Sequence, residues 1–341
     1  MSKRATISDL AEEAGVSVAT VDRVLNGRLP VKAGTARRVA DAAMRIGFHA
    51  ANLIDRQANQ SGREIRLGFL LQKPEQLFYQ QFAAAIEAAC QSASGFRARP
   101  VIGFSSSPDI DKVVEEMNRL AARTDAIALV TPDNAALGPA IEALQAQGKP
   151  VFSLLSDFAP GSRSGYVGVD NRKVGRTAAW MIAKCAKRPG KVALFVGSHG
   201  FHGHELREIG LRSYFREHAP QFSVLETFVT HEAVEVTQDI LAALLRREPD
   251  MVGCYVGGGG SEGAIAAMRA AALAEPPVLI CNEDTPLTRQ ALTDGIASLA
   301  IVTPVARLSR ELVSLMGQVL NDGGSGGQSF LQFDLLLPES F

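Results

Sequence analysis

Glycines, histidines and arginines of this chain fall at spacings that chemistry uses. Gly258-x-Gly260-x-x-Gly263 follows the apolar run Met251–Val256 and opens a stretch of helical periodicity, and Glu283 stands 20 residues after Gly263. Taken alone, that arrangement holds a dinucleotide. Glycines let backbone N–H groups approach a pyrophosphate, and a carboxylate grips a ribose. His199-x-x-His202-x-His204-Glu205 groups imidazoles as metal sites do, but the order is not HExxH and the group follows a strand end beside Arg207. Ser198 follows Gly197 without the GxSxG elbow of hydrolases, so hydrolase chemistry has no support.

A different chemistry gathers near residue 1. Residues 1–66 carry 11 Lys/Arg against 7 Asp/Glu, whereas residues 67–341 carry 24 against 29. A basic end on an acidic body points to a nucleic-acid-binding head. Thr6-Ile7-Ser8-Asp9-Leu10-Ala11-Glu12-Glu13-Ala14 opens on a capping residue, with acids in its first turns. Gly15-Val16-Ser17 is a short turn that ends in a second cap. Val18 to Asn26 forms a second helix, ended by Gly27, and Pro30 precedes a third from about Gly34 to Ile46. Helix, glycine turn, helix is the helix-turn-helix pattern. Leu10, Ala14, Val16, Val21 and Val24 then pack inward. Ser17, Val18, Ala19, Thr20 and Arg23 face a major groove, where arginine bonds a guanine edge at two points and small apolar groups meet thymine methyls.

The elements behind the later motifs alternate. Apolar runs at Ile65–Leu71, Arg99–Phe104, Ala126–Val130, Pro150–Leu155, Lys191–Val196, Met251–Val256 and Pro277–Cys281 are separated by amphipathic stretches of helical length. This predicts an α/β body of doubly wound parallel sheets, and about ten strands imply two lobes. Ligands of such sheets bind at the carboxyl ends of the strands. There Asp133 and Asn134 follow the third strand, and Asp157 sits near the end of the fourth.

Composition agrees with a globular chain: 46% hydrophobic and 21% charged residues, and no apolar run of about 18 that would span a membrane. The first residues are expected to hold no secretory segment. Cys90, Cys185, Cys254 and Cys281 form no CxxC pair and read as buried thiols of a cytoplasmic protein.

The head resembles the LacI/GalR family of bacterial transcription regulators. The match is carried by Thr6-Ile7-Ser8-Asp9-Leu10-Ala11, Ala14-Gly15-Val16-Ser17, Thr20-Val21, Arg23-Val24-Leu25-Asn26-Gly27, Thr35 and Ile46-Gly47-Phe48. The resemblance implies base reading by Val18, Ala19 and Arg23, and phosphate contacts from Thr6, Ser17, Thr20, Asn26 and Thr35. Asp22 is expected to orient Arg23. The family continues with Tyr-x-Pro-Asn and a hinge helix that wedges a leucine into the minor groove. Here Phe48 to Gln60 lacks the Pro-Asn pair, and Gln57 stands where the wedge leucine is expected, with Leu53 or Ile54 as substitutes.

The body resembles a type I periplasmic sugar-binding protein, through Arg66–Leu71, Tyr166–Asn171 with Gly175, and Arg207–Gly210. The resemblance implies a head at 1–48, a linker at 49–64 and a ligand-binding domain at 65–341. Its N-lobe is expected at about 65–160 plus 297–322, and its C-lobe at about 166–290 plus 328–341. Crossings between lobes are expected near Asp157–Gly168, Thr285–Ser298 and Asn321–Gln328. Gln72 after the first strand is a candidate contact, and so is His199, read as a cleft residue from its place beside Arg207. The resemblance implies ligand contacts for Phe78, Tyr79 and Arg207, for Glu283 where sugar binders carry Asp, and for Thr303 where they often carry Gln.

One departure shapes the ligand expectation. The family's Asn-Asp after the strand ending near Val256 is replaced by Gly257-Gly258-Gly259-Gly260. Backbone N–H groups at a helix start favour an acceptor or an anion, which with Arg207 suggests a sugar bearing a carboxylate or phosphate, or a less hydroxylated polyol derivative, while Glu283 argues against a strongly anionic ligand. The expected function is a ligand-responsive repressor, a homodimer on a near-palindromic operator, with no catalytic role, cofactor, metal or membrane partner. A solute-binding protein of transport would lack the basic head. An NAD-linked enzyme would need the glycine motif in a dinucleotide unit rather than in a binding-protein lobe.

Overall fold

The computed structural model describes residues 5–26, 31–54, 64–105, 107 and 109–341. The head comprises α1 (Ile7–Ala14), α2 (Val18–Asn26) and α3 (Ala33–Arg45). Thr6 and Asp9 form a capping box: Asp9 N donates to Thr6 Oγ1 at 3.2 Å, and Thr6 N donates to Asp9 Oδ2 at 2.8 Å. Gly15 ends α1 with φ 64°, a left-handed turn that suits glycine and redirects the chain into α2. Leu10, Val21, Val24, Val39, Phe48 and Ile54 close the small core.

The body holds two six-stranded sheets. The first contains β1 (Glu64–Leu71), β2 (Arg97–Phe104), β3 (Ala126–Leu129), β4 (Val151–Leu154), β5 (Gly165–Val169) and β11 (Gly327–Leu331), in the order β11-β5-β4-β3-β1-β2. The second contains β6 (Lys191–Val196), β7 (Ser223–Val229), β8 (Met251–Val256), β9 (Val278–Asn282), β10 (Leu299–Val302) and β12 (Asp334–Leu336), in the order β12-β10-β9-β8-β6-β7. Only β12 runs antiparallel to its neighbour, β10. Strands β3, β4, β5, β8 and β9 are buried at every residue, as parallel strands covered on both faces must be. Covering the first sheet are α4 (Leu77–Gln91), α5 (Ile110–Ala121), α6 (Leu137–Gln145) and α12 (Val305–Asp322). Covering the second are α7 (Asn171–Cys185), α8 (His202–His218), α9 (Val234–Arg247), α10 (Ser261–Ala271) and α11 (Pro286–Thr293).

Strand pairing corrects the expected lobe ranges. β5 belongs to the first sheet and β10 to the second, so the chain crosses between Val169 and Asn171, between Val302 and Val305, and between Leu331 and Asp334. Each crossing follows a strand rather than preceding it. The segments expected as crossings each lie inside one lobe, and Thr285–Ser298 holds α11 of the second. Asp157 to Ser164 is pinned by the Arg163–Asp157 ion pair at 2.5 Å, and the glycine run near 323–327 is tied back by Gly326 N donating to Ser164 O at 2.6 Å. Cys185 is exposed, contrary to the buried reading, while the other three cysteines are buried.

Two glycines set the α7–α8 crossing. A Cβ on Gly175 would lie 1.9 Å from Arg207 O, and one on Gly210 would lie 2.1 Å from Arg172 O. The two helices therefore touch backbone to backbone, which fixes where Arg207 enters the space between the lobes.

Candidate functional site

The head presents a reading face. Ser17, Val18, Ala19, Arg23 and Asn26 are exposed along α2, with Val18 at 49%, while Val21 and Val24 turn inward. Thr20 is half-buried and its N donates to Ser17 Oγ at 3.2 Å, so Ser17 caps α2 as Thr6 caps α1. Both helix starts thus leave N–H groups and positive dipole ends at the surface, an arrangement suited to phosphate. Thr35 is half-buried in the first turn of α3. Asp22 Oδ1 accepts from Asn26 Nδ2 at 2.7 Å, one turn further along α2. Of the wedge candidates, Gln57 lies outside the described residues. Ile54 is fully buried and holds the head's core, so it has no side chain to offer a groove, whereas Leu53 is 50% exposed.

Between the lobes lies a narrow cleft with a cavity volume of about 90 Å³. The structure brings Phe78, Tyr79, Arg207, Gly258, Glu283 and Thr303 to its walls, together with His204, Glu232 and Asn282. Arg207 Nε donates to Asn171 Oδ1 at 2.8 Å and Nη1 to Gly257 O at 2.9 Å, which aims the remaining nitrogen at the cavity. Asn282 Nδ2 is a buried donor with no partner among the described residues. Thr303 donates to Glu283 twice, from Oγ1 to Oε1 at 2.8 Å and from N to Oε2 at 3.2 Å. Burial pushes the Glu283 carboxyl up to about 7, against the pull of Arg207 and Thr303. Its backbone is held at φ 67°, a left-handed conformation that a glutamate takes only when its surroundings insist.

Several expected ligand residues do other work. Gln72 Nε2 is spent on Val130 O at 2.7 Å. Asp133 Oδ1 accepts from Ala159 N at 3.1 Å, and Asn134 Oδ1 caps the next turn through Ala136 N at 2.9 Å, so both are loop residues outside the cavity. Asp157 is the partner of Arg163. Burial opposes its charge, yet hydrogen bonds from Arg163 and Ser153 hold its carboxyl below the usual range. His199 is exposed and lies 3.9 Å from Glu208. Gly257 contributes its carbonyl rather than its N–H, which donates to Phe195 O at 2.7 Å.

The decoy motifs dissolve in space. The three histidines diverge, with His202 beside Glu205 at 3.2 Å and His204 near Glu232 at 3.8 Å, and the described residues contain no cluster able to hold a metal. Beside the glycine run lies Glu232, whose Oε1 accepts from Gly259 N at 3.4 Å. A carboxylate stands where a pyrophosphate would need room, so the residues present do not fit a dinucleotide. The carboxylate missing after β8 is thus supplied from the loop after β7. Sequence reading passed over Glu232 because β7 itself, half-buried and mixed in polarity, carries no clear strand pattern. Asn282 adjoins Glu283 and had only that adjacency as a signal. His204 was visible, but as a metal candidate.

Comparison with known proteins follows this division. The model for the periplasmic binding protein domain matches residues 67–325, and that for bacterial regulatory proteins of the lacI family matches residues 6–50. The chain belongs to the periplasmic binding protein domain family and carries a lacI-family head. Catabolite control protein A of Priestia megaterium is 37% identical over 82 residues, 24% of either chain. The regulator RegA of Clostridium saccharobutylicum is 33% identical over 115 residues, 34% of this chain and 33% of its own. These alignments span only about a quarter to a third of the curated relatives. Among solved structures, a solute-binding protein of Actinobacillus succinogenes with bound D-allose aligns with TM-score 0.74 at 18% identity, over 81% of this chain and 98% of its own. A glucose-galactose binding protein of Geobacillus stearothermophilus gives 0.73 at 18%, over 82% and 99%. At such identities the likeness is one of fold. The binding-protein body therefore sits behind a lacI-type head, and no described helix is long and apolar enough to cross a membrane.

Proposed function

We propose that this chain is a ligand-responsive transcription regulator, a repressor that binds operator DNA through α2 and a sugar-like effector between its lobes. The observation that carries it is the pairing of an exposed α2 face (Ser17, Val18, Ala19, Arg23) with a cleft lined by Arg207, held at two of its nitrogens, and by Asn282, whose buried Nδ2 has no partner among the described residues. A homodimer would set two heads on successive major grooves of a near-palindromic site. The effector acts by preferring one lobe arrangement, which shifts operator affinity only by that difference in binding.

The test is selection of duplex DNA by the full-length protein, followed by anisotropy on the selected site. Expected are a two-fold site, affinity that falls steeply with salt, and release or tightening by one member of a panel of sugars, sugar acids, sugar phosphates and polyols. Binding without sequence preference, or a site on which the whole panel is silent, would sink this reading.

A further inference from the structure

Resting on the effector-cleft reading above, we propose that Glu232 is a built-in anion occupying the phosphate-accepting position of the cleft. The effector is then an uncharged polar ring compound, and Glu232 is the residue that excludes phosphorylated and carboxylated ones.

The argument is an inventory of donors. Four glycines after β8 suggest a bare backbone cradle, yet two of its N–H groups, those of Gly257 and Gly259, are engaged. Gly257 N donates to Phe195 O at 2.7 Å, and Gly259 N faces Glu232 Oε1 at 3.4 Å. The glycines make room for that side chain: a Cβ on Gly197 would lie 2.5 Å from Glu232 Cγ, and one on Gly259 would lie 2.9 Å from Glu232 Cβ. The nearest lysine is engaged as well. Lys73, arriving from the other lobe after β1, donates to Glu232 Oε2 at 3.0 Å and to His231 O at 2.6 Å. Both charges are largely withdrawn from water, with side-chain exposures of 23% and 13%. Lys73, His231 and Glu232 hold φ of 33°, 51° and 60°, so three left-handed residues converge on one ion pair. Such conformations persist where surrounding structure over-determines them.

What remains for a ligand is small. Arg207 has already given two of its nitrogens to Asn171 and Gly257, and Glu283 stands opposite it. His204 adds no charge: burial pulls it down to about 4, against the pull of Glu232. A phosphate here would meet two carboxyl groups in a poorly hydrated space, where like charges repel strongly. A hydroxylated ring would instead accept from Arg207 and Asn282 Nδ2, meet Glu283, and lie against Phe78 and Phe201.

The probe is inorganic phosphate on the full-length chain, with thermal midpoints compared against chloride at equal ionic strength. Wild type should show no saturable rise. Glu232→Ala, which vacates the position and leaves Gly259 N–H and Lys73 without that partner, should gain one at millimolar phosphate, and adding Lys73→Met should remove it. Glu232→Gln, which removes the charge but keeps the bulk, should gain a weaker rise and is used if the alanine variant fails to fold. Saturable phosphate binding by wild type, or no gain in either Glu232 variant, overturns the proposal. This arm uses no DNA, so its failure leaves the regulator reading standing, whereas a silent operator assay sinks that reading alone.

Discussion

Arg207 and Glu283 show how one side chain can be read from sequence and still depend on its neighbours. Arg207 is held at two nitrogens before any ligand arrives, so its third is pre-aimed. Arg207→Met should abolish the effector response in the operator assay while leaving DNA affinity without effector within about threefold. Glu283 predicts a pH dependence. Its folded value near 7 lies above the ordinary 4.5. The linked stability is therefore fully present below about pH 4.5 and is lost as pH rises through 7. The cost by pH 8 is of order 1–3 kcal/mol, since each unit is worth about 1.4. Glu283→Gln should flatten the urea-derived stability profile between about pH 5 and 8. Thr303 N–H would lose an ideal acceptor in the variant, so the slope is the readout and not the level. An unchanged slope would mean that Glu283 does not titrate there.

At the scale of elements, packing geometry governs where the functional groups lie. The backbone contact of α7 with α8 at Gly175 and Gly210 leaves no room for a methyl group. Gly210→Ala should push the helices apart, cost about 1–3 kcal/mol in chemical unfolding, and weaken effector binding through Arg207. Wild-type stability in that variant would show that the helices slide freely. The head gives a paired prediction at its last described turn. Ile54→Ala empties a fully buried site and should cost about 2–4 kcal/mol of head stability. Leu53→Ala touches a half-exposed side chain and should leave stability within about 0.5 kcal/mol. If Leu53 is the wedge, its loss weakens operator binding without melting the head, and equal operator affinity would exclude that role.

For the whole molecule, the crossings and the mouth of the cleft lie at opposite sheet edges. The hinge strands β5, β11, β10 and β12 occupy one edge, while β1 and β7, which carry Lys73 and Glu232 on their following loops, lie at or beside the other. An ion pair far from the hinge acts with leverage on lobe closure. Lys73→Met should widen the solution scattering envelope of the effector-free protein, and identical curves would show that the lobes close without it. Gly203 N donating to Ser156 Oγ at 3.1 Å and Asp133 N donating to Gly200 O at 2.8 Å also bridge the lobes, so the opening is expected to be partial.

Local chemistry was legible without coordinates. The caps at Thr6 and Ser17, the glycine turn, the inward Leu10, Val21 and Val24, and the fully apolar strands all follow from interactions within a few residues, and there the reading held. The expectation for Arg207 came from the family resemblance through Arg207–Gly210 rather than from local chemistry. What only the tertiary structure decided involves partners far apart in sequence. Sheet membership of β5 and β10 depends on strand pairing, to which a turn in the chain is no guide. The fates of Gln72, Asp133 and Asp157 depend on which distant group each side chain meets first. Glu232 came from a strand with no clear signature, and its role exists only because Lys73 and Gly259 arrive beside it from other loops. A side chain's type is local, but whether it is spent or free is set by the fold around it.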